Sequence, residues 1–327
     1  MKAVLYLTGP LKDFDKLKSD FPKVAFVTVS SAAEAAKELT EAEIFMTANS
    51  LYDAEIGTAM RDKAKKLRWI HFKTSGVENG VEHGMPPKVV VTNSPGMSAP
   101  CHAEHAFGML MMLTRRFRQI DAARAKKQWP RREIGKEMVS LQDKCMVVAG
   151  YGFIGQETAR LAKAFGMKVI VVSRAAKPGP SVDEVRGRDR LGDSVAEADV
   201  VAMCTVLTPD TKAMLGKAEI ARMKKTAYLM NMARGALTDE AALIEALKAG
   251  RIAGACIDVV SEEPPPADNP FWTLENVVMT PHVSGSGYDS EPRAQGIIRE
   301  NLTRFVAGQE LSYVLGADRL KPGMGTV

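Results

Sequence analysis

The 327-residue sequence is short of cysteine and of long apolar runs. It has four scattered cysteines with no pair at metal-ligand spacing: Cys101, Cys145, Cys204 and Cys256. This usage predicts reduced thiols in a cytoplasmic protein that has no metal site. No apolar run approaches the roughly 18 residues that span a bilayer, and the apolar part of the N-terminus is too short for a signal peptide. We therefore expect a soluble globular protein with no membrane contact.

Internal repeats and low-complexity segments are also absent, and the net charge is only +5. The basic residues are densest over residues 61–68 and 115–132, but no nucleic-acid-binding motif accompanies them. These patches are typical of a solvated surface, so we expect no nucleic-acid partner. A mildly basic surface would instead attract small anions, such as a phosphorylated cofactor or an acidic substrate.

An apolar strand that ends in a glycine-rich turn is the most informative stretch. Val147–Ala149 leads into the turn Gly150-Tyr151-Gly152-Phe153-Ile154-Gly155, and a helical pattern follows. In such a turn the first glycine permits the tight bend, the second lets the backbone approach a pyrophosphate, and the third lets the helix pack close to the strand. The spacing predicts a dinucleotide-binding βαβ unit whose helix start binds the phosphates.

The end of the second strand of this unit bears on the choice of cofactor. The strand Met167–Val172 runs into Ser173 and Arg174, where an NAD-binding unit would usually have an Asp or Glu for the ribose 2′-hydroxyl. Ser173, Arg174 and Lys177 could instead bind a 2′-phosphate. The alternative is an ordinary basic turn exposed to solvent. We predict NADP(H) in preference to NAD(H).

Strand-like and helix-like segments alternate along the chain, which predicts an α/β protein with two domains. We expect residues 99–284 to form a Rossmann-type doubly wound parallel sheet. Residues 1–98 and 285–327 are expected to form a smaller, flavodoxin-like α/β substrate domain. In this scheme a helix over Pro292–Val306 returns the chain to the first domain, and the active cleft lies between the domains.

Three reactive side chains, Arg234, Glu263 and His282, follow later strands of the larger domain. Ligands in an open α/β sheet bind outside the carboxyl ends of the strands, so we expect the three to converge near the glycine turn. Together they suit hydride transfer to a 2-keto acid. Arg234 can bind the substrate carboxylate, His282 can exchange the proton of the alkoxide, and Glu263 can orient the imidazole and favour its charged form.

Each of these residues also has a structural alternative. Arg234 could form a surface ion pair, Glu263 could be a turn residue before three prolines, and His282 could be a strand-end histidine without a catalytic role. The glycine turn favours the joint catalytic interpretation, because all three residues would lie beside a bound dinucleotide.

Taken together, the motifs closely resemble the D-isomer-specific 2-hydroxyacid dehydrogenase family, and the likeness covers almost the whole chain. The segments that carry it are Gly150–Gly155, Leu207–Thr211, Asn231–Gly235, Ala255–Pro264 and Thr280–His282. The resemblance implies that Arg234, Glu263 and His282 are catalytic.

The same resemblance implies the binding residues. Backbone N–H groups of Ser75 and Gly76 would bind the substrate carboxylate, together with Arg234 and His282, and Asp258 would hold the nicotinamide carboxamide. Further cofactor contacts are expected at Leu207, Thr208, Pro209, Thr211, Met232, Ala233, Arg234, His282 and Gly285.

The ending of the second strand resembles the NADPH-preferring glyoxylate/hydroxypyruvate reductase branch. The resemblance therefore implies a D-2-hydroxyacid dehydrogenase that acts on glyoxylate, hydroxypyruvate or a similar acid. It also implies a homodimer built around the long helix near residues 100–119, which we expect to be continuous over Ala99–Ile120.

Some positions depart from the family pattern. His102 stands where Val or Thr is commoner, which could place a second imidazole near the nicotinamide, although packing or a surface role is the alternative.

Two other functions stay open. One is oxidation of formate or phosphite, against which Glu263 argues because the formate enzymes of the family pair their His with Gln. The other is a nucleotide-sensing corepressor, which would be expected to carry partner-binding extensions.

Overall fold

The computed structural model describes residues 1–7, 14–174, 179–287, 290–316 and 320. The chain divides into two compact units, one of residues 1–97 with 287–327 and one of residues 98–286. Each unit contains one parallel β-sheet with helices, so the predicted α/β class is confirmed.

The first unit has a five-stranded parallel sheet in the order β2-β1-β3-β4-β5, which is the flavodoxin-like strand order. Its elements are β1 (Lys2–Tyr6), α1 (Phe14–Asp20), β2 (Ala25–Val29), α2 (Ala32–Glu38), β3 (Ile44–Thr47), α3 (Ala54–Asp62), β4 (Trp69–Phe72), α4 (Glu78–His83), β5 (Val90–Asn93) and, after the second unit, α12 (Ser290–Val306).

Both faces of this sheet are buried, because successive strand side chains point to opposite faces. Val4 and Phe45 pack with residues of α2 and α3 on one face. Leu5 and Trp69 pack with α1 and α12 on the other. The α12 residues in that second core are Ile298, Leu302 and Phe305, whose helical spacing gives one apolar stripe.

The second unit has a seven-stranded parallel sheet in the order β12-β11-β10-β9-β6-β7-β8. Its elements are α5 (Ala99–Thr114), α6 (Phe117–Ala125), α7 (Arg131–Gly135), β6 (Cys145–Ala149), α8 (Phe153–Ala164), β7 (Lys168–Val172), β8 (Glu184–Arg186), α9 (Leu191–Glu197), β9 (Val200–Met203), α10 (Lys217–Arg222), β10 (Tyr228–Asn231), α11 (Glu240–Lys248), β11 (Gly254–Ile257) and β12 (Val277–Met279).

The strand order changes direction at β6. From β6 the chain builds outward through β7 and β8, then returns to the other side of β6 with β9 and continues to β12. In a doubly wound sheet the connections on the two sides of such a point diverge and leave a crevice at the carboxyl ends of the strands. The glycine turn follows β6 directly, so it lies at this crevice.

One sequence expectation for the second unit is wrong, and one short strand was missed. The helix expected over Ala99–Ile120 is broken, because α5 ends at Thr114 and Arg116 adopts a left-handed backbone with φ 58° before α6 begins. No glycine or proline marks the break; Arg116 is held there by its Nε, which donates to the Glu137 carbonyl and faces its carboxylate.

Strand β8 was not expected, because its three residues include two charged side chains. Arg186 forms ion pairs with Glu184 and Glu197, and this pairing neutralises the charges at the edge of the sheet. The helix α12 also begins earlier than expected, at Ser290 rather than at Pro292.

All four cysteines are free thiols, and burial raises the pKa of Cys204 to about 12. In the described ranges, no helix combines the length and the apolar character that a membrane crossing requires. Nor do three or more His, Cys, Asp or Glu side chains gather there as metal ligands. A cytoplasmic location stays a prediction from the cysteine usage.

Candidate active site

The phosphate turn (residues 150–155) is built from close backbone contacts. Gly150 has φ 104°, and a Cβ there would lie 2.7 Å from the backbone of Cys204 and Thr205, which follow β9. At Gly155 a Cβ would lie 2.2 Å from the Gly150 carbonyl oxygen. Both glycines are therefore required by the folded chain itself, before any ligand is considered.

Gly152 differs from these two glycines. A Cβ built on it would meet nothing within 4 Å, so the backbone faces open space. It is the N-cap of α8 and offers no side-chain hydrogen bond to the first turn of that helix. An uncapped helix start beside open space suits an anion, and a side chain at residue 152 would fill the room that a phosphate needs. The turn therefore fits a dinucleotide pyrophosphate.

Of the three other residues of the turn, Tyr151 precedes helix α8, and Phe153 and Ile154 are its first two residues. Phe153 is 48% exposed although it is a large apolar side chain. Tyr151 and Ile154 are half-buried, and the Tyr151 carbonyl accepts a hydrogen bond from the side chain of Gln156.

Ser173 and Arg174 follow β7, as expected for the ribose end of a dinucleotide site. The Ser173 N–H donates to the Arg186 carbonyl at 3.0 Å, which holds the strand end against β8. The Arg174 side chain is exposed. Lys177, the third residue expected at a 2′-phosphate, lies outside the described residues.

The loop after β9 contains residues 207–211. The Thr211 side chain is fully buried, and its hydroxyl donates to the Val206 carbonyl and accepts from the Thr208 N–H, both at 2.7 Å. Leu207 is 42% exposed, and Pro209 is also exposed. Thr211 thus shapes the loop, and Leu207 and Pro209 lie on its surface.

Arg234 is placed by the loop that follows β10. The Asn231 side chain bridges this loop, because its Nδ2 donates to the Arg234 carbonyl and its Oδ1 accepts from the Ala233 N–H. Met232 and Ala233 are buried. The Arg234 guanidinium is half-buried and donates from Nη1 to the Ala233 carbonyl at 2.8 Å.

Gly235 brings the loops after β10 and β11 together. A Cβ at this position would lie 2.1 Å from the Val260 carbonyl carbon. Only glycine allows this approach, so the residue next to Arg234 also sets the position of the chain that leads to Glu263. The sequence analysis missed this role, although an Arg-Gly pair directly after a buried strand is a usable signal.

Glu263 and His282 form a close polar pair. Glu263 turns back on its own loop, because its Oε1 accepts from the Val260 N–H at 3.2 Å. Its Oε2 lies 2.6 Å from Nδ1 of His282. The two side chains stay accessible, with 46% of His282 and 36% of Glu263 exposed. The structure therefore brings these two predicted residues into direct contact.

The backbone of His282 is unusual for a non-glycine residue. Its φ is 53°, in the left-handed region, and its N–H donates to the Asp258 carbonyl at 2.8 Å. Such conformations persist only where surrounding contacts impose them, and they are frequent at functional sites. Here the imposed conformation fixes the direction in which the imidazole leaves the chain.

Asp258 imposes much of this conformation. Its carboxylate is fully buried and accepts from the Thr280 hydroxyl at 2.5 Å and from the N–H groups of Val283 and Ser284, both at 2.9 Å. Burial alone would raise the pKa of Asp258, but hydrogen bonds from Ser284 and Thr280 outweigh it and lower the pKa below its usual value. These hydrogen bonds hold the carboxylate inside the turn around His282.

Helix α5, at the start of this unit's sequence, contributes a residue to the hydrogen-bond network around Asp258 and Thr280. Nε2 of His105 lies 3.0 Å from the Thr280 hydroxyl, across 175 residues of chain. His102, one turn earlier in the helix, packs against Gly285 and is within electrostatic range of Asp258, His282 and Arg234. We call His102, His105, Asp258, Glu263, Thr280 and His282 the His282 cluster.

The sequence analysis missed His105 and Thr280 as parts of the cluster. The only available signal was that a polar segment, His102 to His105, opens an otherwise apolar helix. The strand that each residue would face cannot be read from that pattern, because the contact depends on how α5 packs on the sheet.

Ser75 and Gly76 belong to the first unit, directly after β4. The Ser75 carbonyl accepts from the Asn93 side chain, and the Gly76 carbonyl accepts from the Thr74 hydroxyl. Within the described ranges, neither residue's N–H donates a hydrogen bond to the protein. Two such N–H groups in succession are suited to an anion, which agrees with the expectation for these residues but does not test it.

Comparison with protein families supports the dinucleotide interpretation. Residues 107–284 match the model of the D-isomer specific 2-hydroxyacid dehydrogenases, NAD binding domain. This range covers the phosphate turn, the loops after β9 and β10, and all of the His282 cluster except His102 and His105.

Relatives match over most of the chain. A D-3-phosphoglycerate dehydrogenase of Methanocaldococcus jannaschii is 32% identical over 93% of the chain, which spans only 58% of that protein's length. A glyoxylate reductase of Thermococcus litoralis is 33% identical over 80% of each chain. Among solved structures, a D-isomer specific 2-hydroxyacid dehydrogenase family protein of Aeromonas salmonicida is 28% identical and has a TM-score of 0.84, over 96% of this chain and 98% of the other.

Proposed function

The chain belongs to the D-isomer specific 2-hydroxyacid dehydrogenase family, and from that premise we propose that it transfers a hydride between NADP(H) and a small 2-keto acid. The observation that carries the proposal is the contact of 2.6 Å between His282 and Glu263, at the same sheet edge as the phosphate turn. Glyoxylate and hydroxypyruvate are the first substrates to test. The glyoxylate reductase of Thermococcus litoralis supports glyoxylate in particular.

His282 supplies the proton in this proposal. Because Nδ1 faces the Glu263 carboxylate, Nδ1 carries a hydrogen that it donates to Oε2. The other ring nitrogen, Nε2, is then the atom that donates a proton to the substrate oxygen in reduction and takes it back in oxidation. Glu263 is a positioning residue, which sets the orientation of the ring.

Arg234 binds the substrate carboxylate. Its guanidinium can donate two parallel hydrogen bonds to a carboxylate, which holds the keto group in one orientation. The Asn231 bridge and the contact of Gly235 with Val260 fix the backbone from which Arg234 projects. The N–H groups of Ser75 and Gly76, in the first unit, are proposed to bind a substrate carboxylate.

The open space at Gly152 leaves room for the pyrophosphate of a dinucleotide, which supports a nicotinamide dinucleotide as the cofactor. When bound, the reduced nicotinamide supplies the hydride. The phosphate turn would hold the pyrophosphate, and Leu207, Thr208 and Pro209 would contact the nucleotide on the surface of their loop, which Thr211 shapes. Met232, Ala233 and Gly285 would contribute mainly backbone contacts, since two of them are buried and one has no side chain.

The preference for NADP(H) rests on Ser173 and Arg174. Replacing Arg174 by Ser should weaken NADPH binding about tenfold or more, because a charged hydrogen bond contributes roughly 1.5–3 kcal/mol, and should leave NADH binding unchanged. The matched control is Arg160→Ser, which removes the same charge from the exposed face of α8. Equal loss of NADPH affinity in both variants would contradict the assignment of Arg174.

The activity itself is tested by steady-state kinetics. Glyoxylate, hydroxypyruvate, pyruvate and a bulky aryl keto acid would each be measured with NADPH and with NADH. We expect the highest kcat/KM for one of the two small acids with NADPH. Absence of turnover with every pair, in protein shown to bind the nucleotide, would contradict the proposed activity and favour a nucleotide-sensing role.

A homodimer is proposed from exposed apolar side chains on the segment from α5 to α7. Those with the largest exposed fractions are Met112 (38%), Phe117 (52%), Ile120 (37%) and Trp129 (90%). Large exposed apolar patches commonly mark an interface, and these four side chains are concentrated on one segment of the chain. Light scattering should give a dimer for the wild type and a monomer for Phe117→Glu with Ile120→Glu. Trp272→Glu, which changes an equally exposed residue elsewhere, should stay dimeric, and a monomeric wild type would contradict the proposal.

A further inference from the structure

A cavity of about 390 Å³ lies in the second unit, away from the proposed active site. Three lining residues mark its position, because Lys144 directly precedes β6, Val200 begins β9 and Tyr228 begins β10. The phosphate turn and Arg234 instead follow the carboxyl ends of β6 and β10. A four-residue parallel strand spans roughly 13 Å, so this amino-edge cavity is separated from the site by the length of the strands. Its volume is in the range of small-molecule sites.

Part of the wall of the amino-edge cavity is apolar and well packed. Leu141 and Val200 are 5% and 1% exposed, so their side chains form a fixed surface. Val139 and Ala253, which also line the cavity, are half-buried. An inorganic ion would leave this apolar surface without contacts, whereas a ligand with an apolar body would cover it.

The lining also carries an excess of positive charge from Arg116, Lys144 and Lys225. Within the described ranges, neither lysine ammonium group forms an ion pair or a hydrogen bond. Asp199 lines the cavity as well, but its carboxylate already pairs with Lys224 at 3.1 Å and accepts the N–H that begins β6 at 2.9 Å. The charge that stays unpaired is therefore positive, which favours an anionic ligand.

Arg116 lies at this cavity because the helix breaks there. Its φ of 58° is in the left-handed region, which favours glycine, yet the residue carries a long charged side chain. The guanidinium Nε faces the Glu137 carboxylate at 3.6 Å, and the Glu137 side chain is 60% exposed. An ion pair this exposed contributes little to stability, so the carboxylate of a ligand can compete with it for Arg116.

Tyr228 supplies a hydrogen-bond donor inside the cavity. Only 5% of the residue is exposed, but in the part of the chain that the structure describes its hydroxyl has no hydrogen-bond partner, and it is not among the fully enclosed atoms that lack one. The accessible part of the hydroxyl therefore faces the cavity that the residue lines. Burial raises the pKa of Tyr228, against the opposite effect of Arg116. A protonated phenol in this position gains free energy when a ligand accepts its hydrogen.

We propose that the amino-edge cavity binds a small carboxylic acid with an apolar body, such as an aromatic acid. The carboxylate would pair with Lys144 and Lys225 and accept a hydrogen bond from the Tyr228 hydroxyl, while the body packs on Leu141 and Val200. This second acid site is independent of the proposed function, because the residues that carry it belong neither to the phosphate turn nor to the His282 cluster.

The test uses benzoate as the probe, with benzamide as its uncharged counterpart and acetate as the same charge without the ring. Dissociation constants would be measured by calorimetry on the full chain. Benzoate should bind about tenfold or more tightly than either of the other two, because only benzoate combines charge-assisted hydrogen bonds with apolar contact. Saturating NADPH should leave the affinity for benzoate unchanged, since the cavity lies at the opposite edge of the sheet from the phosphate turn.

Two variants separate charge from hydrogen bonding. Lys144→Gln combined with Lys225→Gln should lower the affinity for benzoate to that for benzamide. Tyr228→Phe should weaken benzoate binding roughly three- to tenfold, the range for one hydrogen bond, and should keep the unfolding free energy because the hydroxyl has no partner in the described ranges.

Two controls test the location. Lys217→Gln removes an exposed lysine of α10 that pairs with Glu245, and it should not change the affinity for benzoate. Arg234→Gln removes the guanidinium proposed to bind the substrate, and it should not change that affinity either.

Three results would overturn this inference: equal affinities for benzoate and benzamide, unchanged benzoate affinity in the double lysine variant, or loss of benzoate binding in Arg234→Gln. The last result would place benzoate in the proposed active site. Turnover with NADPH is measured separately, so benzoate binding as expected in a chain without turnover would contradict the proposed function alone.

Discussion

The phosphate turn and the His282 cluster lie at the same edge of one sheet, but they are built in opposite ways. The phosphate turn is a run of consecutive residues whose glycines make close backbone contacts. The His282 cluster gathers side chains from α5 and from the loops after β11 and β12, and one of its contacts joins residues 175 positions apart.

The difference shows which part of the site can be recognised from the sequence and which part depends on tertiary packing. In the phosphate turn, the residue spacing is itself the geometry, so a pattern of glycines reports a structure directly. In the His282 cluster, each member is an ordinary residue in its own segment, and its role depends on which neighbour the packing supplies. Substitutions in the two regions should therefore have different effects on turnover, cofactor binding and the unfolding free energy.

The largest effect is expected at His282. Replacing it by Gln removes proton transfer, so kcat should fall by about 10²- to 10⁴-fold, while the dissociation constant of NADPH should change little because the phosphate turn is intact. Single-turnover kinetics and calorimetry would measure the two quantities. His83→Gln, on α4 of the first unit, is the control. Normal turnover in His282→Gln would refute the assignment of His282 as the acid and base.

A second effect is expected where backbone packing places the cluster. An alanine at Gly235 would put a Cβ 2.1 Å from the Val260 carbonyl carbon, so the loop that carries Glu263 must move. A displacement of about 1 Å can reduce the rate about 10²-fold, so kcat/KM should fall by that order.

The control for Gly235→Ala is Gly108→Ala in α5, where a Cβ would meet nothing within 4 Å. That change should preserve kcat/KM and raise the stability by up to about 1 kcal/mol, because alanine favours a helix more than glycine. Equal activity losses in the two variants would show that the contact of Gly235 with Val260 does not position the site.

Two glycines of the phosphate turn should separate ligand binding from folding. Gly152→Ala should keep the wild-type unfolding free energy and weaken the binding of NADPH and NADH alike, because it fills only the open space at the helix start. Gly150→Ala should instead lower the unfolding free energy by about 1–3 kcal/mol from backbone strain alone, with a further penalty from its contact with Cys204. Urea titration and calorimetry measure both, and a destabilised Gly152→Ala would contradict this division.

The smallest effect concerns pH. The folded-state pKa of Asp258 is lowered, so its contribution to stability is present above the unfolded-state value of about 4 and is lost as the pH falls through the folded-state value. The phosphate turn has no titratable side chain except Tyr151, so it makes no comparable contribution to the pH dependence of stability in this range. Between pH 5 and pH 3 the wild type should therefore lose more unfolding free energy than Asp258→Asn, as measured by urea titration. Parallel losses in both proteins would show that the ionised carboxylate does not hold the turn.

Much of the fold was predictable for a physical reason. Both sheets consist of buried parallel strands, which appear in the sequence as apolar runs separated by helical patterns. The failures were local. The break at Arg116 carries no glycine or proline and depends on a distant carbonyl at Glu137, and β8 is held by ion pairs rather than by apolar side chains.

The candidate site divides in the same way. Arg234, Glu263 and His282 could be proposed from the sequence because each follows a strand, and parallel strands end at one edge. The contact of Glu263 with His282 could only be seen in the fold, as could the roles of Gly235, His105 and Thr280. Their positions depend on how loops and α5 pack on the sheet, which no local pattern encodes.

The sequence by itself determined the dinucleotide turn, the α/β class and the chemical types available at the strand ends, because glycine spacing and apolar periodicity act over short distances along the chain. Only the tertiary structure decided that Asp258 is buried in the turn it shapes and that His102 packs against Gly285. That decision depends on solvent exclusion, which is set by every segment that packs around a side chain and therefore by contacts between residues far apart in sequence.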